Sequence, residues 1–455
     1  MKVVKYPTKL DPNFSPIVLY FQNFRKRVKK SKHEEITIVV EREDGLNEFY
    51  ETIIFSDDEH LEENLFYLEK LSKTLLWLYG GYKIIVVGPK KIYEGLKKIY
   101  LEGRRTFDSN FMRRVYGKPF EVVHMENRPE SKRIERAIGK NLDGYRIGFD
   151  AGGSDMKVSA VVNGKPIFST EIVWLPKLNS DPKYHKEKIR QAIYLAASKM
   201  PRVDALGVSS AGIYINNEAK VGSLFIQVPE ELFEEHVKNI YIDIAKELNV
   251  PLVVANDGDV TALAGAMALK KNNLLGIAMG TSEAVGYINN DGNISGWLNE
   301  LAFVPVDVQK NGPVDEWSGD IGVGCKYFSQ DAVIRLAETC GIKFEEDLTL
   351  AERLKVVQKL DPTSETYVDI YETIGTYLAF GLAYYSEFYH IELVLLLGRV
   401  MSGVGGDIIV KTATKVLKKE FPKLGKQIKL VIPDEETRRV GQSIAAASLP
   451  KTNKS

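Results

Sequence analysis

The sequence predicts an α/β fold in which buried strands alternate with helices over at least two packing units. Three observations lead to this prediction. From residue 205 onward, short apolar runs alternate with longer stretches of helical periodicity. The chain has 455 residues, too many for one ordinary core. Four short blocks of glycine, acidic and hydroxyl residues each follow an apolar run, where a strand passes into a turn that can touch phosphate or hydroxyl groups.

The composition excludes several classes of protein. Lysine plus arginine and aspartate plus glutamate number 61 each, so net charge gives no argument for nucleic acid or an anionic membrane as partner. Cys325 and Cys340 have no short spacing to histidine and predict neither a disulfide framework nor a zinc site. No stretch reaches the roughly 20 apolar residues that span a bilayer, and the N-terminus lacks a signal-peptide pattern. We therefore expect a cytoplasmic protein that binds small molecules and neither nucleic acid nor membrane.

Residues 1–140 predict an N-terminal α/β domain of unknown role. The irregular start ends in the basic run 25–32, which is typical of a solvated helix end. After it the pattern predicts a hairpin of strands 36–40 and 49–55, a leucine-rich helix that begins near residue 57 and ends at Gly80-Gly81, and a buried parallel strand over 83–89. The charged segment 126–144 is the expected linker.

The same order of elements returns after this linker. Residues 145–149 and 156–162 predict strands, Asn163-Gly164 a hairpin turn, 184–199 a helix and 204–209 a buried strand. The N-terminal domain is thus either a degenerate repeat of the same topology, without the glycine turn that follows Asp150, or an unrelated α/β domain.

The remaining elements complete two lobes, residues 145–265 and residues 266–455. They are predicted strands at 251–255, 274–278, 391–397 and 428–432, and helices at 260–269, 328–340, 368–388, 407–417 and 435–447. We expect the final helix to pack back on the first lobe.

The first two blocks carry acidic residues at strand ends. In Asp150-Ala-Gly-Gly-Ser154, glycines let backbone amides approach phosphates, a hydroxyl can donate, and the carboxylate can hold Mg²⁺ directly or through water. An ordinary tight hairpin is the alternative. In the second block, Asp257 is the candidate general base, because a carboxylate can accept the proton of an attacking hydroxyl. Asn256 would bind a neighbouring hydroxyl, and the alternative for this pair is a helix N-cap.

The second, third and fourth blocks are Ala255-Asn-Asp-Gly-Asp259, Met279-Gly-Thr-Ser282 and Leu397-Gly-Arg-Val-Met-Ser-Gly403. With the first block, and in this order, they make residues 146–448 resemble the ROK sugar-kinase family within the actin, Hsp70 and hexokinase superfamily. The resemblance implies an actin/hexokinase-like (ribonuclease H-like) two-lobed fold, a homodimer, and ATP-dependent phosphorylation of a hydroxyl on a hexose or amino sugar with Mg²⁺. It assigns ATP binding to Asp150, Gly152, Gly153, Ser154, Gly280, Thr281, Ser282, Gly398 and Gly403, and sugar binding to Asn256, Asp257 and Glu300.

This sequence departs from the family pattern at four positions. They are Asp155, where the family often has lysine; Glu283, a carboxylate beside the second phosphate hairpin; Phe303, in place of a sugar-binding histidine; and Arg399, in place of glycine. The family's zinc motif is also missing, since only Cys325 remains there and no histidine lies between His236 and His390, so we expect no zinc.

These departures keep a second hypothesis open, a catalytically silent or sugar-sensing ROK-like regulator. The hairpins and long amphipathic stretches of residues 1–140 do not match a compact winged helix, which counts against DNA binding. Two weaker likenesses concern the kinase subfamily: Gly280-Thr-Ser282 is closer to the family of glycerol and xylulose kinases, and Asp315-Glu-Trp-Ser-Gly319 to N-acetylglucosamine kinases.

Overall fold

The computed structural model describes residues 5–133 and 139–452 and divides the chain into two compact units. Unit 1 comprises Met1–Ile134, Ile277–Ala284 and Trp297–Ile432; unit 2 comprises Glu135–Gly276, Val285–Gly296 and Pro433–Ser455. Across the described ranges, no helix combines the length and the apolar character needed to cross a membrane.

The N-terminal part of unit 1 is a four-stranded sheet with helices. Its elements are α1 (Ile17–Val28), β1 (His33–Glu41), β2 (Asn47–Phe55), α2 (Leu61–Tyr79), β3 (Lys83–Val87), α3 (Lys90–Leu101), α4 (Thr106–Tyr116) and β4 (Glu121–Met125), with strand order β2-β1-β3-β4. The predicted hairpin, leucine-rich helix and following strand are present. Residues 5–16 form no helix or extended strand, in agreement with the predicted irregular start, and α1 ends within the basic run 25–32. Ile17, Phe21, Phe24 and Val28 form one buried face of this helix.

The elements that follow belong to both units. They are β5 (Tyr145–Ala151), β6 (Asp155–Val162), β7 (Lys165–Val173), α5 (Pro182–Ala197), β8 (Ala205–Ser210), β9 (Ile213–Ile215), β10 (Glu218–Val221), α6 (Glu230–Leu232), α7 (Ile240–Leu248), β11 (Leu252–Asn256), α8 (Asp257–Leu269), β12 (Leu274–Met279), β13 (Glu283–Ile288), α9 (Gln330–Thr339), α10 (Leu350–Gln358), α11 (Glu365–Tyr385), β14 (Leu393–Leu397), α12 (Val404–Glu420), α13 (Pro422–Gln427), β15 (Lys429–Val431) and α14 (Glu435–Ala447). The strand orders are β11-β8-β5-β6-β7, β13-β12-β14-β15 and β10-β9.

The N-terminal sheet does not repeat the topology of the five-stranded sheet, so that part of the prediction is wrong. β1 pairs with β3 in antiparallel fashion, whereas β5 pairs with β8 in parallel. The difference arises from β7, a third antiparallel strand that the sequence analysis missed. With three strands before the helix, the next strand returns parallel to the first; with two, it returns antiparallel.

Residues 1–134 share a core with residues 297–432 in unit 1. The Thr74 and Tyr384 hydroxyls are 2.7 Å apart, the rings of Phe21 and Tyr384 meet at 5.4 Å, and Trp77 packs on Phe303 at 4.4 Å between ring centroids. These buried contacts join α2 directly to later elements of the chain. The expected division into three domains, which concerns parts that fold independently, stays a prediction.

The final helix of unit 2 lies directly on its five-stranded sheet. A Cβ atom on Gly148 of β5 would stand 1.7 Å from the Ser443 carbonyl oxygen, and one on Gly207 of β8 would stand 1.7 Å from that of Ala446. Only glycine permits backbones to approach this closely. The two glycines therefore let α14 pack against the strands that end at Ala151 and Ser210.

Candidate functional site

Asp150 lies near the carboxyl end of β5, the central strand of the unit 2 sheet. Its side chain is buried, and the Ser209 hydroxyl on neighbouring β8 donates a hydrogen bond of 2.6 Å to its Oδ1. Burial raises the pKa of Asp150 to about 6; the negative charge of Asp257 adds to this shift, while the Ser209 hydrogen bond opposes it. Asp150 is therefore a buried carboxyl group that ionises close to neutral pH.

The turn after Asp150 is fixed by Trp174, a residue that the sequence analysis did not single out. The amide of Gly152 donates to the Asp155 carbonyl at 2.9 Å, which closes the turn. The buried indole of Trp174 donates to the Gly152 carbonyl at 2.8 Å, and the Trp174 amide donates to the Ser154 carbonyl at 3.2 Å. A buried tryptophan normally satisfies its N–H group, and here doing so orders this turn.

The Asn256-Asp257 pair stands where β11 passes into α8. The Asn256 side chain accepts from the Gly258 amide at 2.8 Å and donates to the Gly212 carbonyl at 2.7 Å. Asn256 is thus the N-cap of α8, as the structural alternative predicted, and its binding of a sugar hydroxyl stays a prediction. The partly buried Asp257 is the first residue of the helix.

Asp257 and Asp150 lie at the same edge of the sheet, on strands separated by β8, and the negative charge of Asp257 acts on Asp150. β11, β8 and β5 run parallel, so both carboxylates lie at carboxyl ends, where ligands of α/β sheets commonly bind. Burial raises the pKa of Asp257, although backbone amides and the positive charge of Lys177 oppose the rise. The structure therefore brings together the two acidic residues that the sequence analysis ranked highest.

Lys177 is a second residue near this turn that the sequence analysis missed. It lies in a short 3₁₀ turn, Pro176–Leu178, directly after β7, and its Nζ is 3.6 Å from the position that a Cβ on Gly153 would occupy. Asp155 stands in this turn where the related family often has a lysine. The ammonium group of Lys177 brings a positive charge close to the same glycines from another segment of the chain.

The second glycine turn belongs to unit 1 and joins β12 to β13. The Gly280 amide donates to the Ser282 carbonyl at 3.0 Å, with Thr281 between them, and the Gln330 amide donates to the Gly280 carbonyl at 2.9 Å. Gly398, which follows β14, has a φ of +93°, and a Cβ there would stand 2.3 Å from the Met279 carbonyl oxygen. Gly398 therefore touches the strand that leads into this turn.

Two further positions of the β14 motif differ in character. Gly403 has a φ of +71° and forms the N-cap of α12, so a left-handed backbone is needed where that helix begins. Arg399, which replaces glycine, has an exposed side chain, while its carbonyl accepts from the Gln358 amide group at 2.8 Å. The arginine side chain is thus directed to the surface of unit 1.

Glu283, whose charge beside a phosphate hairpin was unexpected, points into the interior of unit 1. Its Oε2 lies 2.2 Å from the position that a Cβ on Gly324 would occupy, so the glycine makes room for the carboxyl group. The Tyr385 hydroxyl is a neighbour, yet neither carboxyl oxygen forms a well-aligned hydrogen bond within the described residues. Burial raises the pKa of Glu283 to about 8. At neutral pH the group is mostly uncharged and does not repel an anion.

Glu283→Gln is expected to stabilise the protein increasingly as pH rises from 5 to 8. The folded-state pKa lies above the unfolded value, so the wild type loses stability as pH rises through this window, and the loss is complete above about pH 8. The neutral amide avoids it, which makes the difference at pH 8 on the order of a few kcal/mol. Chemical denaturation at several pH values measures this difference; a gap independent of pH would contradict the buried acid.

Glu300 is held by the end of α2. The Glu300 amide donates a hydrogen bond of 2.9 Å to the Trp77 carbonyl. The Asn299 amide donates one of the same length to the Leu78 carbonyl. These carbonyls belong to the last turn of α2 and have no partner within the helix. Phe303, three residues after Glu300, packs against both Trp77 and Trp317, with ring centroids 5.1 Å apart in the second pair. The N-terminal part of the chain thus positions the candidate sugar-binding glutamate.

The predicted site residues divide between the two units. Asp150, Gly152, Gly153, Ser154, Asn256 and Asp257 belong to unit 2, and Gly280, Thr281, Ser282, Glu300, Gly398 and Gly403 to unit 1. Over the described ranges, no three His, Cys, Asp or Glu side chains cluster closely enough to hold a metal ion by themselves.

Solved structures similar to this chain include ROK family proteins. A ROK family transcriptional regulator, a homolog of the E. coli MLC protein, matches at a TM-score of 0.50 and 16% identity over 68% of this chain and 79% of its own. A candidate sugar kinase from Cytophaga hutchinsonii matches at a TM-score of 0.50 and 14% identity, over 67% of this chain and 98% of its own. A ROK family glucokinase from Streptomyces griseus, in complex with glucose and AMPPNP, has a TM-score of 0.47 and 18% identity, over 69% of this chain and 100% of its own. No protein-family model and no curated protein matches the chain.

The two matches at a TM-score of 0.50 establish the fold class. The predicted α/β fold of the actin and hexokinase type is confirmed. At identities of 14% and 16% the similarity concerns the fold alone, and one of these two proteins is a transcriptional regulator. The activity must therefore be argued from the site.

Proposed function

We propose that this protein is an ATP-dependent kinase that phosphorylates a hydroxyl group of a hexose or an amino sugar. The observation that carries the proposal is the placement of Asp150 and Asp257 at the carboxyl ends of parallel strands in one sheet, with raised pKa values and a glycine turn that Trp174 holds by a hydrogen bond. A carboxylate pair in such surroundings is typical of a functional site. The fold shared with ROK proteins, a candidate sugar kinase among them, adds support.

Asp257 is the proposed general base. A sugar hydroxyl oxygen attacks the γ-phosphorus of ATP, the bond from that phosphorus to the β–γ bridging oxygen breaks, and ADP leaves. Asp257 accepts the hydroxyl proton in this step. Its raised pKa makes it a stronger base than an exposed aspartate, and its partial exposure leaves it open to a substrate. Asn256 and Glu300 bind neighbouring hydroxyls of the sugar.

Asp150 and the glycine turns are the proposed phosphate-binding groups. Amides of Gly152 and Gly153 and the Ser154 hydroxyl donate to phosphate oxygens, and so do Gly280, Thr281 and Ser282. Gly398 and Gly403 flank the adenosine. Asp150 fits Mg²⁺, because a buried carboxyl with a pKa of about 6 ionises readily beside a cation. When bound, Mg²⁺ supplies charge neutralisation and takes its other ligands from phosphates and water. No zinc takes part.

The remaining properties follow from the sequence and the resemblance. We propose that the protein acts in the cytoplasm as a homodimer, with ATP and a sugar as its ligands and without nucleic acid or membrane as partners.

The test is ADP release from MgATP in the presence of a panel of hexoses, amino sugars and N-acetylated sugars. We expect sugar-dependent turnover with one chemical class of sugar. ATP hydrolysis that no sugar accelerates, or complete silence across the panel, would contradict the proposal.

A sugar-responsive regulator is the second candidate, favoured by the fold shared with a ROK transcriptional regulator. Such a protein would bind a sugar without turnover and would be retained on DNA at low salt, with retention falling steeply as salt rises. A kinase would release ADP and show no such retention. Running both assays on one preparation separates the two functions.

A further inference from the structure

The connection from β7 to α5 projects a lysine over the glycine turn that follows Asp150. The first residue of this connection, Trp174, donates to both the Gly152 and the Ser154 carbonyls. Lys177 lies three residues later, with its Nζ 3.6 Å from the Cβ position of Gly153. Trp174 thus holds the connection on the turn, and the Lys177 side chain reaches the turn at Gly153, which has no side chain of its own.

The backbone around Lys177 is anchored on both sides. The buried His185 ring lies 2.9 Å from the Pro176 carbonyl through its Nε2, and the Tyr184 hydroxyl accepts from the Leu175 amide at 3.0 Å. The Asn179 side chain donates to the Leu175 carbonyl at 2.7 Å. The loop therefore has a fixed path, and only the flexible stem of Lys177 has to adjust to a ligand.

The negative charges near the turn would repel a phosphate group unless a cation lies close to them. Asp150 and Asp155 flank the turn, the negative charge of Asp257 acts on Asp150, and a triphosphate adds further negative charge. Lys157, paired with Asp150 across β5 and β6, acts on Asp150, whereas Lys177 acts on Asp257 and contacts Gly153. The Lys177 ammonium group is exposed and forms no ion pair or hydrogen bond with a described residue, so it is available to a ligand.

We propose that Lys177 binds the γ-phosphate of ATP and stabilises the phosphoryl group as it is transferred to the sugar. The proposal rests on the proposed kinase function. The ammonium group is a mobile point charge with three donors, suited to the equatorial oxygens on which charge spreads in the transition state. Lys177 supplies from the β7–α5 connection the positive charge that Asp155 does not supply within the turn.

The test compares Lys177→Met and Lys177→Arg with the control Lys183→Met, which removes an exposed lysine from the start of α5. Binding of ATP, ADP and AMP with Mg²⁺ is measured by calorimetry, and kcat with the sugar that the panel identifies. We expect Lys177→Met to lower kcat by about 100-fold and to weaken ATP binding, while AMP binding is unchanged. Lys177→Arg should restore most of the rate, and Lys183→Met should match the wild type.

The outcomes separate this inference from the function on which it rests. A wild-type protein that neither binds ATP nor phosphorylates a sugar overturns the kinase proposal, and the inference falls with it. An active wild type with Lys177→Met as active as Lys183→Met overturns the inference alone. Equal losses of AMP and ATP affinity in Lys177→Met would indicate that the lysine only supports the loop, which also overturns it.

Discussion

Asp257→Asn is expected to lower the rate of sugar-dependent ADP release by about 10²- to 10⁴-fold. The amide has the size and shape of the carboxylate but cannot accept the proton of the attacking hydroxyl. The hydrogen bond between Asp257 Oδ1 and the Gly258 amide, 3.1 Å long, can be kept by the amide oxygen, so α8 should still form. The rate is measured by coupled ADP detection, and folding by thermal denaturation.

The pH dependence of the rate gives this prediction a second readout. Asp257 must be ionised to act as a base, so the wild-type rate should fall as pH drops through its raised pKa. Asp150, Lys177 and Tyr214 are the titratable groups coupled to it. The residual rate of Asp257→Asn should lose the part of this acid limb that Asp257 causes, while protonation of Asp150, whose pKa is about 6, still lowers the rate in acid.

The matched control is Asp259→Asn, two residues along α8. Asp259 accepts a hydrogen bond from the Tyr287 amide at 3.3 Å, which an asparagine can also accept. We expect this variant to keep most of the activity. Full turnover in Asp257→Asn, or equal losses in the two variants, would remove Asp257 from the role of base.

Much of the fold was predictable because strands buried on both faces appear in the sequence as continuous apolar runs. β8, β12 and β14 are buried along most of their length, and the sequence analysis found each of them. β7 was missed because it is the edge strand of its sheet, with alternate residues exposed and Pro166 near its start. Without β7, the orders of elements in residues 1–140 and in the segment from residue 145 looked alike, and for this reason a degenerate repeat stood beside an unrelated α/β domain as an alternative.

The same strand limited the prediction of the site. Asp150 and Asp257 were found because each directly follows an apolar run that ends at the sheet edge. Trp174 and Lys177 come to the turn only because β7 pairs with β6 and ends opposite Asp155. Sequence separation from the glycines concealed them. The inward direction of Glu283 was equally hidden, since it depends on Gly324, a residue from a distant segment.

A buried ionic network in unit 1 joins α2 to the segment that follows Phe303. The Lys73 ammonium group lies 2.6 Å from carboxylate oxygens of both Asp108 and Asp320. Arg105 lies 2.7 Å from Asp320 and 2.6 Å from Glu69. Although burial alone would favour the neutral acid, Lys73 and Arg105 hold the pKa of Asp320 below its usual value. Asp320 is therefore charged at neutral pH.

Lys73→Met is expected to destabilise the protein by about 3 kcal/mol, because it leaves Asp108 and Asp320 buried with Arg105 as their remaining cation. The matched control is Lys70→Met on the same helix. Lys70 forms no ion pair with a described residue, and burial lowers its pKa to about 8, so its removal should be neutral or stabilising at pH 7. Chemical denaturation measures both effects. Since α1 and α2 pack on residues 297–432, we expect Lys73→Met to lower the stability of unit 1 as a whole. Two separate transitions, of which only one is displaced, would instead show that the N-terminal residues fold independently.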